Sequence, residues 1–413
     1  MAFDENYQLP GLTVILSVLR NLDPGYNCHF SIMTEQGKEP GKNTLEVLKL
    51  LNHNFDYRYC HFDPEQFTRL PGGLDYVNHY IFARLLIDSF ADELEGCFYI
   101  DSDVLVTGDL SQLYRYCTDH AELQQSYLAA ADDLSIQYGT DPFFADHRHS
   151  IGFSAEDTKG YFSAGVMFLN LRKIREDHIR EKCLDIAARG YLFADQDILN
   201  IVCKNHVLHL PVRYNFASVW ANDMVLALQP DLSTENRDTL LRKDPVIWHF
   251  SGPDKPWKTL ETEAEALWYS YASQVLCEDP VIREQLAALK ETDLTQTWTD
   301  CREIVRNYES VVLYGYTYIS RKTVDNLLAQ QYGNIRCFCD RDPQKNGRQY
   351  RGIPCCLPDR ALSEYTSDHT AFVICAQTAW PEISKELTGA GISPGHIYRF
   401  RLRDWMILRA DQR

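Results

Sequence analysis

Residues 97–106, CFYIDSDVLV, read as a strand that is apolar almost throughout, yet Asp101 and Asp103 interrupt it. Carboxylates in such a place cost free energy unless they are paired or put to use. In a strand, positions i and i+2 share a face, so both carboxylates can point at one hard cation that bridges two phosphate oxygens. The D-x-D pattern alone is common, and a solvated strand end with an Asx turn is the simpler explanation of it.

The surroundings of that strand set the fold class. Over residues 1 to about 120, LTVILSVLRNL (12–22) and LEVLKLLNHN (45–54) are helix-like runs between short extended pieces, which implies α/β layering on a parallel-type sheet. The range 262–307 is rich in Glu, Ala, Leu, Gln and Arg with Pro280 as a breaker, and reads as two helices of a linker. Beyond it ESVVLYGY (309–316), IRCFCDRD (335–342), AFVICAQ (371–377) and HIYRF (396–400) read as strands. TVDNLLAQQYG (323–333) and PEISKELTGAG (381–391) read as helices, which makes the end of the chain a small Rossmann-like sheet.

Composition excludes several classes. At 413 residues the chain has the length of two or three domains. Its 58 Asp+Glu against 41 Lys+Arg give a net charge of −17, which repels a phosphate backbone and excludes nucleic acid as a partner. The 13 cysteines are odd in number and never spaced C-x-x-C, so they read as buried thiols of a reducing compartment. No leader pattern opens the chain and no apolar run approaches the roughly 18 residues of a membrane span, so a cytoplasmic protein is expected.

Three more segments carry chemistry. YFSAGVMFLNLRKIRED (161–177) places Ser163, Ala164 and Gly165 ahead of an apolar run, as suits backbone lying close to a ligand such as a sugar. DQDILN (195–200) sets Asp195, Gln196 and Asp197 before an apolar stretch; as a helix start it leaves the first two free for a polar cleft, and the plain alternative is an N-cap. WHFSGPDKPW (248–257) joins a His, a Gly, a Lys and a rigid Pro-Trp end; its imidazole can complete a metal's ligand set and its ammonium can neutralise phosphate.

AFDENY (2–7), FARLLI (82–87), FYIDSDVLV, YFSAGVMFLNLRK, DQDILN and H-x-x-G-x-x-K-P-W follow one another as in glycosyltransferase family 8, which this chain resembles over residues 1 to about 260. That family comprises retaining enzymes, among them glycogenin and the bacterial lipooligosaccharide galactosyltransferases and glucosyltransferases. Each motif is weak alone; six in order are specific. The resemblance implies an α/β chain: a nucleotide-diphospho-sugar transferase domain of GT-A type with a mixed sheet over 1–261, a helical linker over 262–307 and a smaller Rossmann-like α/β domain over 308–413. It implies Asp4, Asn6 and Tyr7 at the nucleoside, and Asp101, Asp103 and His249 on a divalent ion, Mn2+ or Mg2+. Gly252 and Lys255 would meet the phosphates, and Arg84, Asp195 and Gln196 would surround the donor sugar with Ser163 and Ala164 below it. The implied donor is a UDP-hexose, glucose or galactose. The implied acceptor is a glycan or lipid-linked glycan of a bacterial cell-surface polysaccharide or lipopolysaccharide.

Retention also follows from the resemblance. Gln196 is a poor nucleophile and Asp195 can hold sugar hydroxyls as readily as attack, so a front-face path is expected, with the acceptor hydroxyl entering on the side of the departing diphosphate. Two features depart from the family. Ser163 stands where its F-N-A-G segment has Asn, and the apolar residues of a first strand do not precede Ala2, so that strand is expected to be short or to begin upstream.

The second unit resembles the small Rossmann-like domains that accompany some bacterial glycosyltransferases and sugar-modifying enzymes, with D-x-D-P-x-K-x-G and G-I-P in CDRDPQKNGRQYRGIPC (339–355). Where a dinucleotide fingerprint needs G-x-G-x-x-G it has Gly315, Thr317 and Ser320, so a structural or substrate-presenting role is expected over nicotinamide binding. The tail YRFRLRDWMILRADQR, with five Arg, reads as a solvated strand and helix; the alternative seats it peripherally on the inner face of the membrane. The rival functional class is a non-catalytic sugar-nucleotide-binding or scaffold protein, against which the intact metal and phosphate residues argue.

Overall fold

The computed structural model describes residues 1–399 except 52–53, 68–69, 71–78, 142–143, 218–221, 223–224, 229–230, 253–254, 259–262, 274–282, 285–300, 330, 367 and 377–378. The Arg-rich tail beyond Arg399 and much of the expected linker lie outside the described residues. The chain divides into two units, Met1–Leu294 and Thr295–Arg413.

In the first unit, α1 (Gln8–Asn21) leads to β1 (Cys28–Thr34), α2 (Lys42–Leu51) and β2 (Phe55–His61), and β1 pairs with β2 in parallel. Ahead of α1 the chain contributes a single parallel bridge, Ala2 to Met33. The apolar run 97–106 is two strands, β3 (Gly96–Ile100) and β4 (Val104–Val106), with Asp101, Ser102 and Asp103 at the corner between them. The next elements are α3 (Leu110–Asp119), β5 (Leu128–Asp132), α4 (Phe144–Ile151), β6 (Phe162–Asn170), α5 (Ile179–Ala187) and α6 (Ala194–Val202). β7 (Val207–Leu210), β8 (Phe216–Ala217), β9 (Ile247–His249) and α7 (Glu263–Ala272) complete the unit.

Two sheets meet at the acidic corner. One has the order β3-β6-β5-β7 and is mixed: β6 runs antiparallel to both β3 and β5, and β5 runs parallel to β7. The other has the order β4-β9-β8. The parallel pairing expected of the early strands holds for β1 and β2 but not for β3, whose partner β6 comes from far along the sequence.

All nine residues of β6 are buried, because both faces of its sheet are covered. On one side Phe82, Tyr99, Met167 and Ile198 pack together; on the other Leu12, Ile15, Ile100, Val166, Ile247 and Trp268 do. Trp268 sits on α7, within the range expected to be a linker, and is fully buried in that second core.

The second unit is a six-stranded sheet of order β12-β13-β11-β10-β14-β15, built from β10 (Ser310–Tyr314), β11 (Ile335–Cys339), β12 (Gln349–Tyr350), β13 (Ile353–Cys356), β14 (Thr370–Ile374) and β15 (Ile397–Arg399). Its pairings are parallel apart from the β12–β13 hairpin, with α8 (Tyr318–Ala329), α9 (Pro358–Glu364) and α10 (Trp380–Gly389) as crossovers. Gly315 has φ +110°, and a Cβ there would lie 2.9 Å from the Ala376 nitrogen, so this first glycine serves a tight packing of backbone on backbone. Thr317 and Ser320 cap α8 reciprocally, the Thr317 N–H donating to Ser320 Oγ at 2.9 Å and the Ser320 N–H to Thr317 Oγ1 at 3.1 Å. The helix start thereby spends its first N–H groups on its own side chains.

Candidate active site

The corner between β3 and β4 exists because the strand changes sheets. The Asp101 N–H still donates to the Gly165 carbonyl at 2.8 Å, extending the β3–β6 ladder, whereas Asp103 already offers its carbonyl to the Phe250 N–H at 2.9 Å beyond β9. The side chains of both aspartates are thus delivered to the sheet junction, where His249 arrives at the end of β9. His249 Nε2 lies 3.4 Å from Asp103 Oδ1 and 3.9 Å from Asp101 Oδ2. Gly165 is needed here: a Cβ would fall 2.8 Å from His249 Nδ1 and 3.0 Å from Asp101 Oδ2. The small residue at this position makes room for the imidazole.

Two cations close the acidic corner. The Lys255 ammonium donates to Asp103 Oδ2 at 2.6 Å and to the Phe250 carbonyl at 2.8 Å. Arg84, nearly buried, donates from Nη2 to Asp101 Oδ1 at 2.7 Å, from Nη1 to the Ala164 carbonyl at 2.8 Å and from Nε to the Ile81 carbonyl at 3.1 Å, and it pairs ionically with Asp195, whose Oδ2 lies 2.8 Å from Nε. Its guanidinium also stacks over the Tyr99 ring, whose hydroxyl donates to Asp101 Oδ1 at 2.8 Å. Burial works against the charge of Asp103, but the Lys255 ammonium beside it holds its carboxyl well below the usual range. Burial pushes Asp101 up, against the opposing pull of Arg84.

DQDILN lies within α6 from its second residue onward, and the helix is entered through Ala194 at φ +41°, a backbone region that an L residue occupies only at a cost. Gln196 Oε1 accepts from the Ala164 N–H at 3.0 Å, and its Nε2 donates to Asp133 Oδ2 at 3.2 Å and to the Tyr161 hydroxyl at 3.3 Å. Ser163 is buried, and its carbonyl accepts from Asn215 Nδ2 at 3.4 Å. Tyr7 meets Trp257 edge-on with ring centres 5.4 Å apart, and Lys255 Nζ lies 5.8 Å from the same Trp257 ring. Both carboxylate oxygens of Asp4 are taken by Asn6, through its N–H at 3.0 Å and its Nδ2 at 3.1 Å. Gly252 has φ +85°, a backbone conformation that a side chain would strain. Arg84, Asp101, Asp103, Asp195, His249 and Lys255 form one connected polar network; Asp4 and Asn6 bond each other apart from it.

The aspartate and histidine atoms suit a divalent ion. One donor atom from each of Asp101, Asp103 and His249 falls within 4.8 Å of the others. Asp103 Oδ1 is buried without a hydrogen-bond partner, a cost that a cation would remove. His249 Nδ1 faces Asn215 Oδ1 at 2.8 Å, which places its hydrogen there and leaves the Nε2 lone pair on the carboxylate side. Two hard oxygens and one imidazole nitrogen match Mn2+ or Mg2+ better than a thiophilic metal.

A family profile described as glycosyl transferase family 8 matches residues 1–261. The chain belongs to that family. Among curated relatives, a putative glycosyltransferase of Haemophilus influenzae is 27% identical over 61% of this chain and 71% of its own. The lipopolysaccharide 1,2-glucosyltransferase of Escherichia coli is 25% identical over 65% and 73%. The galactosyltransferase LgtC, solved with donor and acceptor sugar analogues, superposes with TM-score 0.54 at 22% identity, covering 69% of this chain and 98% of that one. That likeness is one of fold, and the first unit has the GT-A type architecture of these glycosyltransferases.

For a family 8 glycosyltransferase, motif reasoning missed the residues that hold the motif residues in place. Tyr99, Asp133, Tyr161 and Asn215 each bind a motif side chain, and of these Asp133, Tyr161 and Asn215 have no spacing that flags them. Tyr99 alone carried a signal, lying two residues before Asp101 on the same strand face.

Asp195 gives this enzyme a distinctive pH response. Burial, outweighing the Arg84 guanidinium, pushes its carboxyl up to about 7. Between about pH 4 and about pH 7 the native chain therefore keeps a proton that the unfolded chain has released, so this group lowers stability as pH rises through that window. Asp195→Asn removes the slope. In urea unfolding, the stability of the variant relative to wild type is expected to increase from about pH 5 to about pH 8. A difference flat in pH would show that Arg84 keeps the carboxylate ionised throughout.

Proposed function

We propose that this family 8 enzyme is a metal-dependent retaining hexosyltransferase that moves glucose or galactose from a UDP-sugar to a glycan or lipid-linked glycan acceptor. We place it in the synthesis of a bacterial cell-surface polysaccharide or lipopolysaccharide, the setting that the names of the Escherichia coli and Salmonella typhimurium relatives suggest. The observation that carries the reading is the buried, unpartnered Asp103 Oδ1 facing His249 Nε2.

Asp101, Asp103 and His249 would hold the ion. When bound, it supplies positive charge against which a nucleoside diphosphate can depart. Lys255, within 2.6 Å of Asp103, brings an ammonium to the same place. Burial would discharge that ammonium, but Asp103 raises its pKa above the usual lysine value, so it stays protonated. Arg84 restrains Asp195, and all of the Gln196 amide hydrogens are already bonded; neither side chain is poised as a free nucleophile. This favours the front-face path: the acceptor oxygen bonds to the anomeric carbon as the bond to the diphosphate breaks, and the acceptor proton passes to a diphosphate oxygen.

The test is a donor-hydrolysis screen across sugar nucleotides with and without Mn2+, followed by proton NMR of the product anomer. UDP-glucose or UDP-galactose turnover that needs the ion, with retention, is expected. Binding of UDP without turnover of any donor would favour the scaffold reading, and an inverted anomer would end the retaining assignment. Lys255→Ala is expected to weaken UDP binding about tenfold or more by calorimetry, through loss of a charge-assisted contact to phosphate. Unchanged affinity would assign Lys255 to the Asp103 pair alone.

A further inference from the structure

Beneath Gln196 lies a polar cluster that joins Tyr161 and Asp197, from two of the motif segments, to His147, which lies in none. Tyr161, Asp197 and His147 are completely buried, on β6's entry, α6 and α4. Asp197 Oδ1 accepts from the Tyr161 hydroxyl at 2.6 Å and faces His147 Nε2 at 2.5 Å, while Oδ2 accepts from the Phe193 N–H at 2.9 Å. Buried polar groups at this depth are costly unless bonded, and here the bonds run among the three residues, with His147 Nδ1 left without a partner among the described residues.

We propose that Tyr161, Asp197 and His147 are positioning residues that fix which way round the Gln196 amide sits, so that Gln196 can only accept a hydrogen bond from the donor sugar. This role rests on the reading of Gln196 as a donor-sugar contact, and it is set by hydrogen-bond polarity. The Tyr161 hydroxyl hydrogen is committed to Asp197 Oδ1, to which it donates at 2.6 Å. Toward Gln196 the Tyr161 oxygen is therefore an acceptor, and it takes one Nε2 hydrogen at 3.3 Å. Asp133 Oδ2 takes the other at 3.2 Å. Oε1 is left to the Ala164 N–H at 3.0 Å. The reversed amide would set Oε1 against the Asp133 carboxylate and Nε2 against the Ala164 N–H, two repulsive contacts. With both amide hydrogens spent and one Oε1 lone pair used, the remaining capacity is a single acceptor site. A sugar hydroxyl that meets Gln196 must donate to it, and a donor analogue with fluorine in place of that hydroxyl loses the contact.

The test is Tyr161→Phe in the full-length enzyme, which keeps the buried ring and removes the hydroxyl. The expected result is a fall in kcat of about tenfold with the donor KM changed less than about twofold. The double variant Tyr161→Phe with Gln196→Ala is expected to be no slower than Gln196→Ala alone, since both act through one amide. A second reading needs no turnover: the Gln196 side-chain amide protons, assigned by their loss in Gln196→Ala, should exchange with solvent faster in Tyr161→Phe. Wild-type turnover and exchange in Tyr161→Phe, or additive effects in the double variant, would overturn the relay. If Gln196→Ala itself turns over normally, the donor-sugar reading of Gln196 fails, and the exchange measurement still judges whether the cluster fixes the amide. Should Tyr161→Phe not fold, Asp197→Asn supplies the same readings. Its amide can donate to Tyr161 and turn the hydroxyl toward Gln196, so the same kcat loss and faster exchange are expected.

Discussion

Asp103→Ala is expected to lower the transfer rate by about 10²–10³-fold, on the order of 2.7–4 kcal/mol, the scale of removing one group that stabilises charge developing in the transition state. The structure gives this substitution two effects. It deletes the carboxylate whose Oδ1 is buried without a partner and so best suited to an ion, and it strips Lys255 of the 2.6 Å contact that compensates its buried ammonium. An uncompensated buried charge can cost about 3–5 kcal/mol of stability, so activity must be compared at a temperature where both proteins are folded. Asp103→Asn separates the effects: its amide oxygen can still accept from Lys255, while the charge that attracts a divalent ion is gone. Transfer should be lost in both variants, and thermal stability mainly in Asp103→Ala. Transfer near the wild-type rate in either variant, or in wild type with excess chelator, would refute the metal assignment.

The acidic corner was legible in the sequence as a pair of misplaced charges, but its shape was not. Reading CFYIDSDVLV as one strand put both carboxylates on one face; the structure brings them together through a corner where β3 ends on β6 and β4 begins on β9. The turn residues are ordinary, and what bends the chain is a pairing between residues about seventy and about one hundred and forty positions apart. Local pattern cannot carry that information. The same limit explains why the parallel-type sheet held for β1 and β2, which are joined by a helix, and not for β3. Arg84 and Gln196 were legible through FARLLI and DQDILN, whereas Asn215, Tyr161 and His147 carry no spacing that sets them apart from other polar residues of the chain. What they do comes from long-range hydrogen bonds, which sequence spacing does not encode.

The largest stability effect is expected on α7. Trp268 is completely buried against Leu12, Ile15 and Ile247, and its ring centre lies 5.7 Å from that of Trp257, the residue that also meets Tyr7. Trp268→Ala should destabilise the first unit by about 3–5 kcal/mol, from lost burial and the cavity left behind. A chain shortened after residue 265 removes Trp268 and Ala272 together and should lose more. UDP affinity should change far less, within a few-fold in the folded protein, because the site's anchors do not depend on α7. His249 is held by β4 and by Asn215, and Lys255 by Asp103 and the Phe250 carbonyl. Denaturant unfolding of Trp268→Ala, set beside calorimetric UDP titration of the same folded protein, checks both halves. If affinity fell as far as in Lys255→Ala while the protein remained folded, the stack of Tyr7, Trp257 and Trp268 would itself shape the nucleotide site, and α7 would count among the elements that build it.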